Sequence, residues 1–445
     1  MEYTFRFLLY LLPATLLMPL WQFNVGVTIF AYNIVGAIFI TLYFIRALYR
    51  LSIPKLNNRL AVFFLFLSLL LFVKVLSIFG ALKYSYLSDA YLIQYLKGVL
   101  SEIFIYILLV SVVLYLVETG YQSKIIIIRS FIITIFAACF YQFISLVCLI
   151  YFQINLDKIV WSLISYNIDI ESFNMLENGV IGINGISFYR VGSFLGNPNA
   201  FASVLVIAIS FMSISYFEND RKIYLMGLFI MIMALLFTVS RSGILGLVIS
   251  FTLMFIIYFK EVVRKHKIKI AFLIAICSLA YLLFSSEILN MLRLDPTSSI
   301  LGSRSELYLN GLEAFSNRPI FGYGLNNSPL VLDNYDIVNI VGRDFHNYYL
   351  TILIEIGLIG LILHVVFFIY MILNFKRENV FSVTLSIALI ALLFINLFNS
   401  TLSNPYIYFF IYLFYAMSVL NSKSINNLRK SPVTSLNKHN VNTNL

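Results

Sequence analysis

Charge is scarce in this sequence. Charged side chains make up 11% of the 445 residues and hydrophobic side chains 61%, whereas soluble proteins carry roughly 25% charged residues. This shortage excludes a soluble globular domain and indicates a polytopic membrane protein. Apolar runs of about 17–25 residues, the length that crosses about 30 Å of hydrocarbon, recur throughout the chain. They number twelve, near residues 5–22, 25–45, 60–80, 95–117, 131–152, 200–217, 222–239, 241–259, 268–286, 347–373, 380–398 and 405–420.

The predicted fold class is therefore all-α, with about 12 transmembrane helices in a single membrane domain over residues 1–420. Residues 421–445 are polar and rich in asparagine, which predicts a disordered cytoplasmic tail. Two large external loops are expected, at about 153–197 and 287–344, and loops of this length in a compact membrane domain are usually functional. In the second loop, leucines at near-helical spacing over 303–316 predict an amphipathic helix on the membrane face.

Cysteine and histidine are also rare, with three and four residues. Cys139, Cys148 and Cys277 lie within predicted spans without metal-type spacing, so we expect them to pack as small apolar side chains. The external loops contain no tight cluster of Asp and Glu that would suit a magnesium ion. The sequence therefore predicts a site with no metal and no cofactor.

Acidic residues are fewer than basic ones, which leaves a net charge of +10. The basic residues form no patch interleaved with aromatics, so nucleic acid is not a predicted partner. The positive-inside rule accounts for them better. With both termini in the cytoplasm, 20 of the 30 basic residues fall in cytoplasmic segments.

The basic residues that fall outside are mostly arginine. Arginine presents a fixed fork of donors that matches phosphate or carboxylate, whereas lysine is a hydrated point charge. The external face is therefore equipped to hold an anion. Against two lysines, Lys83 and Lys158, this side carries six arginines: Arg190, Arg241, Arg293, Arg304, Arg318 and Arg343.

Three predicted helices begin on this external face, each with a capping residue near an arginine. Unpaired N–H groups and the positive end of a helix dipole favour anions, so the three starts together predict an external diphosphate site. Capping without a further role is the alternative interpretation at each start. The pairs are Asn197 with Pro198 after Arg190, Ser240 before Arg241, and Asp344 after Arg343.

His346 follows Asp344 in the expected first turn of the tenth span. A neutral imidazole beside an anion site is a candidate general base; a histidine hydrogen-bonded at the membrane interface is the alternative. His364 is eighteen residues further on, about 27 Å away along a straight helix, so the two histidines are not expected to share a metal. Glu355 points to the opposite side of the helix, which predicts a structural partner within the bundle.

Two other features receive no catalytic role. The glycines of "FGYG" at 321–324 lack a preceding strand and a following GK[ST], so they are not predicted to form a phosphate loop. Lys74 lies inside a predicted span, where a lysine is costly unless it extends to the interface. We expect Lys74 to extend in this way.

The spacing of His346, Asn347, Gly357 and Gly360 resembles the H-[NSQ]-x9-G-x-x-G signature of the O-antigen polymerase and O-antigen ligase superfamily. Three further stretches are similar to the same superfamily, in the same order along the chain, over about residues 190–360. They are "RVGSFLGNPNAFA" from Arg190, which includes Asn199, "VSRSG" around Arg241, and "GSRSELYLNGLEAFSNRPIFGYGLNN" from Gly302.

This resemblance implies a GT-C-like membrane glycosyltransferase with an undecaprenyl-diphosphate-linked oligosaccharide as donor, on the outer face of the bacterial inner membrane. It implies that Arg190 and Arg241 hold the diphosphate and that His346 activates the acceptor hydroxyl. Arg304 is a further candidate for binding the diphosphate. Arg343 is another candidate, although it corresponds to no position of the family pattern. Membrane lipids and a chain-length regulator are the other partners to expect.

Three functions remain open from the sequence. Polymerisation of repeat units and ligation of a finished glycan to lipid A-core use the same donor, and the intact NPN stretch at 197–199 with "GYGLNN" favours the polymerase. A transporter of lipid-linked sugar is the third, yet transporters usually place polar residues near the bilayer midplane. Here the distinctive polar residues are predicted at the external end of the helices.

Overall fold

The computed structural model describes residues 2–17, 22–24, 28–50, 54–85, 89–154, 156, 159–160, 180–183, 186–189, 192–195, 197–219, 221–257, 300–333, 345–375 and 380–420. Helices dominate this part of the chain. In chain order they are α1 (Glu2–Leu16), α2 (Ala31–Arg50), α3 (Asn58–Leu76), α4 (Ile78–Ser85), α5 (Ala90–Thr119), α6 (Tyr121–Phe152), α7 (Pro198–Asn219), α8 (Lys222–Phe237), α9 (Arg241–Ile257), α10 (Ile300–Asn317), α11 (Ser328–Asp333), α12 (Tyr348–Leu373), α13 (Val380–Ile395) and α14 (Pro405–Leu420).

The strands that the structure describes form two short antiparallel hairpins. One pairs β1 (Gln22–Asn24) with β2 (Thr28–Phe30), with Phe23 opposite Ile29. The other pairs β3 (Val180–Ile183) with β4 (Ile186–Tyr189). The predicted helical class is therefore confirmed, with these hairpins as the exception.

Among the described residues, six helices are long and apolar enough to cross a membrane: Ala31–Arg50, Asn58–Lys83, Ala90–Thr119, Gln122–Phe152, Pro198–Tyr216 and Tyr348–Leu373. Four shorter apolar helices, α8, α9, α13 and α14, have 10–17 residues. The predicted span at 268–286 and the predicted tail at 421–445 lie outside the described residues. The protein is thus a membrane protein with at least six candidate spans, and twelve spans stay a prediction.

The helix α14 occupies the centre of the bundle. Every residue from Tyr406 to Val419 is buried, as expected for a helix that is apolar on all sides. Its aromatic rings pack between neighbouring helices; Tyr412 lies 5.3 Å from Phe367 of α12, and Tyr415 lies 4.9 Å from Phe63 of α3, between ring centroids. Many apolar side chains of α2, α3 and α6 are instead exposed, which suits contact with lipid.

The helix α12 is sharply bent rather than straight. Gly357 has φ 73° and ψ −171°, a left-handed conformation that glycine adopts without a steric cost. The ring of Tyr348 lies 6.0 Å from the ring of His364, although sixteen residues of straight helix would separate their Cα atoms by about 24 Å. The helix therefore consists of an N-terminal arm, residues 348–356, and a C-terminal arm, residues 358–373, that fold toward each other. The straight-helix estimate of about 27 Å between His346 and His364 rested on a wrong premise.

A second layer, formed by α10 and α11, packs on the N-terminal arm. Leu307 and Ala314 of α10 are buried in one cluster with Phe345 and Leu350. The helix predicted at 303–316 is confirmed, but its leucines do not form one stripe. Leu307 is 2% exposed and faces protein, whereas Leu309 and Leu312, on another face of the same helix, are 66% and 51% exposed.

Candidate functional site

The start of α7 has the capping geometry that the sequence predicts. The Asn197 side-chain oxygen accepts hydrogen bonds from the backbone N–H groups of Asn199 at 2.9 Å and Ala200 at 3.2 Å. Pro198 occupies the first helical position, where its missing N–H has no consequence. The Asn199 side chain takes no part in this cap and instead contacts the start of α9.

This contact is a hydrogen bond from the Ser240 hydroxyl to Asn199 Oδ1, 2.8 Å long. Ser240 is fully buried, and its Oγ also accepts the N–H of Gly243 at 3.2 Å, so it caps α9 as predicted. Val239, immediately before it, has φ 47°. A β-branched residue in this region is strained, and such strain often accompanies functional sites. Arg241 follows in the first turn and is half-buried.

The start of α12 differs from the prediction in its capping residue. The cap is Asn347, whose Oδ1 accepts the N–H of Leu350 at 3.0 Å; the predicted cap, Asp344, lies outside the described residues. His346 therefore precedes the cap and is not in the first turn. It is half-buried and has φ 51°, so the backbone turns at the candidate base itself.

The first part of the connection between α13 and α14, residues 396–401, reaches the start of α12. The N–H of Tyr348 lies 3.0 Å from the Asn396 carbonyl oxygen and 3.1 Å from that of Asn399. The Asn347 side-chain amide donates to the Leu397 carbonyl at 3.1 Å. Both residues that follow His346 are therefore fixed to this connection.

The same connection also reaches the other two starts. The Asn399 side-chain amide donates to the Ser242 hydroxyl in the first turn of α9. The Ser203 hydroxyl of α7 donates to Thr401 Oγ1 at 3.0 Å. Residues 197–199, 240–242 and 346–348 thus meet around residues 396–401, and we refer to this set as the helix-start cluster.

The connection is rigidly hydrogen-bonded within itself. Asn396 Oδ1 accepts the N–H of Leu402 at 2.8 Å and the Thr401 hydroxyl at 3.3 Å. Asn396, Asn399 and Thr401 are all buried. The sequence reasoning missed these residues and Ser242. The sequence feature that could have revealed them is the run "NLFNSTLSNP" at 396–405, where asparagine and hydroxyl side chains separate two apolar helices.

The predicted anion-binding arginines are only partly within the described structure. Arg241 is part of the helix-start cluster. Arg190 and Arg343 lie outside the described residues, and Arg304 lies in α10 with a side chain that is not described. Within the described residues, no group of three or more His, Cys, Asp and Glu side chains could hold a metal ion.

The remaining motif residues belong to the bend of α12 and not to the cluster. Glu355 has the structural partner expected of it, because its Oε1 accepts the Ser328 hydroxyl at 2.7 Å. Gly357 forms the bend. A Cβ at Gly360 would lie 2.4 Å from the Ile356 side chain, and the Gly360 carbonyl contacts His364 Nδ1 at 2.8 Å.

The helix-start cluster has the chemistry of an anion site with a base beside it. Three helix N-termini meet there, and each contributes the positive end of a helix dipole. Arg241 adds a full positive charge in the first turn of α9. His346, next to the cap of α12, adds an imidazole, a side chain that often serves as a general base.

A family model described as "O-Antigen ligase" matches residues 226–365. The match runs from within α8 to the C-terminal arm of α12 and includes two of the three helix starts. No curated protein matches the chain. The family match confirms the resemblance to the O-antigen ligase and polymerase superfamily, and it supports a membrane enzyme of the glycosyltransferase type.

Proposed function

We propose, from this family match and the helix-start cluster, that the protein is a GT-C-like polysaccharide polymerase. It transfers a glycan from undecaprenyl diphosphate to an acceptor sugar on another lipid-linked repeat unit. The observation that carries the proposal is the convergence of three helix N-termini, Arg241 and His346 around residues 396–401. A donor with a diphosphate leaving group requires this pairing of an anion site with a base.

The reaction is an inverting substitution at the anomeric carbon. The acceptor oxygen forms the new C–O bond, its proton passes to the imidazole of His346, and the bond to the lipid diphosphate breaks. Negative charge that develops on the diphosphate is stabilised by Arg241 and by the helix dipoles. Arg190, Arg304 and Arg343 are the further candidates for this role, and the step uses no metal.

The proposed location is the outer face of the bacterial inner membrane, with both termini in the cytoplasm. Polymerisation is preferred over ligation to lipid A-core because of the NPN stretch at 197–199 and the "GYGLNN" segment. Both reactions break the same donor bond, so the acceptor is what separates them experimentally.

The test uses purified protein in liposomes with its undecaprenyl-diphosphate repeat unit as sole substrate, with and without EDTA. His346→Asn is a more specific test of the imidazole than His346→Ala, because asparagine tolerates the left-handed backbone that position 346 requires. Arg241→Ala is paired with Arg221→Ala, which removes an exposed arginine at the start of α8.

A ladder of lengthening products that survives EDTA, is lost in His346→Asn and Arg241→Ala, and persists in Arg221→Ala supports the proposal. Product that forms only after lipid A-core is added identifies a ligase. Folded wild-type protein that transfers nothing to either acceptor overturns the enzymatic proposal.

A further inference from the structure

The bend of α12 is held open by another segment of the chain. In an unbroken helix the N–H of Leu358 would donate to the Ile354 carbonyl. Here Leu358 N–H donates to the Pro319 carbonyl at 2.8 Å instead, and the Ile354 carbonyl accepts the N–H of Tyr323 at 2.7 Å. The Glu355 carbonyl similarly accepts the N–H of Gly324 at 2.9 Å.

The segment at residues 319–325, which we call the splint, thus replaces the helical hydrogen bonds that the bend removes. Its shape depends on close backbone approach. A Cβ at Gly357 would lie 2.0 Å from the Ile320 carbonyl oxygen, and one at Gly322 would lie 2.4 Å from the Ile354 carbonyl oxygen. Side chains at these two positions would force the splint and the bend apart. Gly322 of "FGYG" therefore allows the close packing of the splint against α12.

The splint is also attached to the rest of the molecule at its C-terminal end. Leu325 N–H donates to the Ser77 hydroxyl at 3.1 Å, at the junction of α3 and α4. Beyond it, the Ser328 hydroxyl donates to Glu355 Oε1 at 2.7 Å. The position of the bend is therefore set by α3, by α11 and by a carboxylate on the N-terminal arm.

We propose that the splint and the Glu355–Ser328 hydrogen bond position His346 in the helix-start cluster. The N-terminal arm that the splint holds begins at Tyr348, directly after the cap that follows His346, so a change in the bend moves the imidazole relative to Arg241. Gly322, Gly357, Glu355 and Ser328 are then positioning residues for the transfer. This inference rests on the proposed function for the role of His346, whereas the splint geometry is independent of it.

The chain offers a matched control for the bend. Gly120 has φ 72° and ψ −144°, close to Gly357, but a Cβ there would meet nothing within 4 Å. Alanine at either position adopts the same unfavourable backbone region, and only Gly357→Ala adds the clash with the splint. A difference between the two variants therefore reports the splint and not backbone strain.

The geometric measurement is the distance between spin labels on α10 and on the C-terminal arm. Leu312 and Ile362 are both 51% exposed, and they are labelled as cysteines in a background without the native cysteines. A single narrow distance is expected for the parent protein and for Gly120→Ala. A shifted or broadened distribution is expected for Gly357→Ala and Gly322→Val, and an unchanged one overturns the splint.

Transfer by the same variants tests the positioning role. Gly357→Ala is expected to lower kcat about 100-fold, because small misplacements of reacting groups are costly, with the donor KM within about twofold. If Gly357→Ala does not fold, Ser328→Ala provides the milder change. Its control is Ser316→Ala, which removes an exposed hydroxyl bond to the Glu313 carbonyl.

Loss of kcat together with a moved arm supports the inference. A moved arm with full activity, or Ser328→Ala indistinguishable from Ser316→Ala in both distance and kcat, overturns it. Parent protein that shows the narrow distance but no transfer overturns the proposed function, while the distances still decide the splint.

Discussion

The ring of Tyr348 lies 6.0 Å from the ring of His364 in an edge-to-face contact. Two residues far apart in an apolar run are thereby brought together at the inner side of the α12 bend. Tyr348 also lies 6.5 Å from Phe368, between ring centroids, so one side chain from the N-terminal arm packs on two turns of the C-terminal arm. Tyr348 therefore joins the two arms through ring contacts.

Truncation of Tyr348 should loosen the two arms. Tyr348→Ala is expected to cost about 3–5 kcal/mol of stability through the cavity it leaves, whereas Tyr348→Phe keeps the ring. Thermal unfolding in detergent measures the loss. Tyr115→Ala is the control, because Tyr115 is also a buried ring and packs on Phe5 and Phe39 away from the helix-start cluster. Equal transfer per folded molecule in the two alanine variants would contradict a functional role for the bend.

The cap of α12 should matter for activity beyond its effect on stability. Asn347→Ala removes both the cap to Leu350 and the donor to the Leu397 carbonyl, and caps contribute about 1 kcal/mol. Asn57 caps α3 in the same way, with Oδ1 accepting the N–H of Leu60 at 2.8 Å, and α3 does not begin in the helix-start cluster. Transfer measured per folded molecule is expected to fall in Asn347→Ala and to hold in Asn57→Ala.

The hydrogen bond between the α7 and α9 starts should show energetic coupling. A double-mutant cycle with Asn199→Ala and Ser240→Ala is expected to give a coupling energy of about 1 kcal/mol, read from unfolding midpoints. The Ser68–Tyr106 pair, hydroxyl to hydroxyl at 2.8 Å, provides a cycle between α3 and α5. Coupling in both pairs with transfer lost only in the first is the expected pattern; additive effects at Asn199 and Ser240 would show that the starts act independently.

A charged pair within the bundle should behave as a unit. Lys74 lies 2.7 Å from Glu102, with side chains only 14% and 19% exposed, and its ammonium is 5.4 Å from the Tyr408 ring centroid. Removal of one partner leaves the other charge unpaired, so Glu102→Gln and Lys74→Met are each expected to cost about 3 kcal/mol. Lys74→Met combined with Glu102→Leu should recover most of this stability in thermal unfolding. A further loss of stability in the double variant would contradict the prediction.

The parts of the site that obey local rules could be predicted from the sequence. Asn197 and Ser240 are found as caps, and Pro198 at the first helical position, because these preferences depend on a residue and its next few neighbours. The proximity of these helix starts was predicted from topology, since helices that cross a membrane in the same direction begin on the same side of it. Glu355 was expected to need a partner, and only the structure identifies Ser328.

The errors arose where the structure depends on distant residues. A continuous apolar run does not reveal that Gly357 breaks it, because the bend is stabilised by hydrogen bonds from residues of the splint, which lies well before it in the chain. Lys74 was expected to extend to the interface, yet its partner Glu102 lies on another helix. Asn347, and not the predicted Asp344, caps α12, and the sequence did not reveal this because both residue types suit the role.

The central position of α14 has a consequence for how the protein is made. The helix starts at 197–199, 240–242 and 346–348 are all synthesised before residues 396–401, which join them, and before the buried helix that follows. During translation these starts therefore enter the membrane without the segment that joins them. The last two helices must then insert among neighbours that are already present. A ribosome that stalls before residue 396 would leave a protein in the bilayer that lacks the central helix α14 and whose helix-start cluster is unassembled.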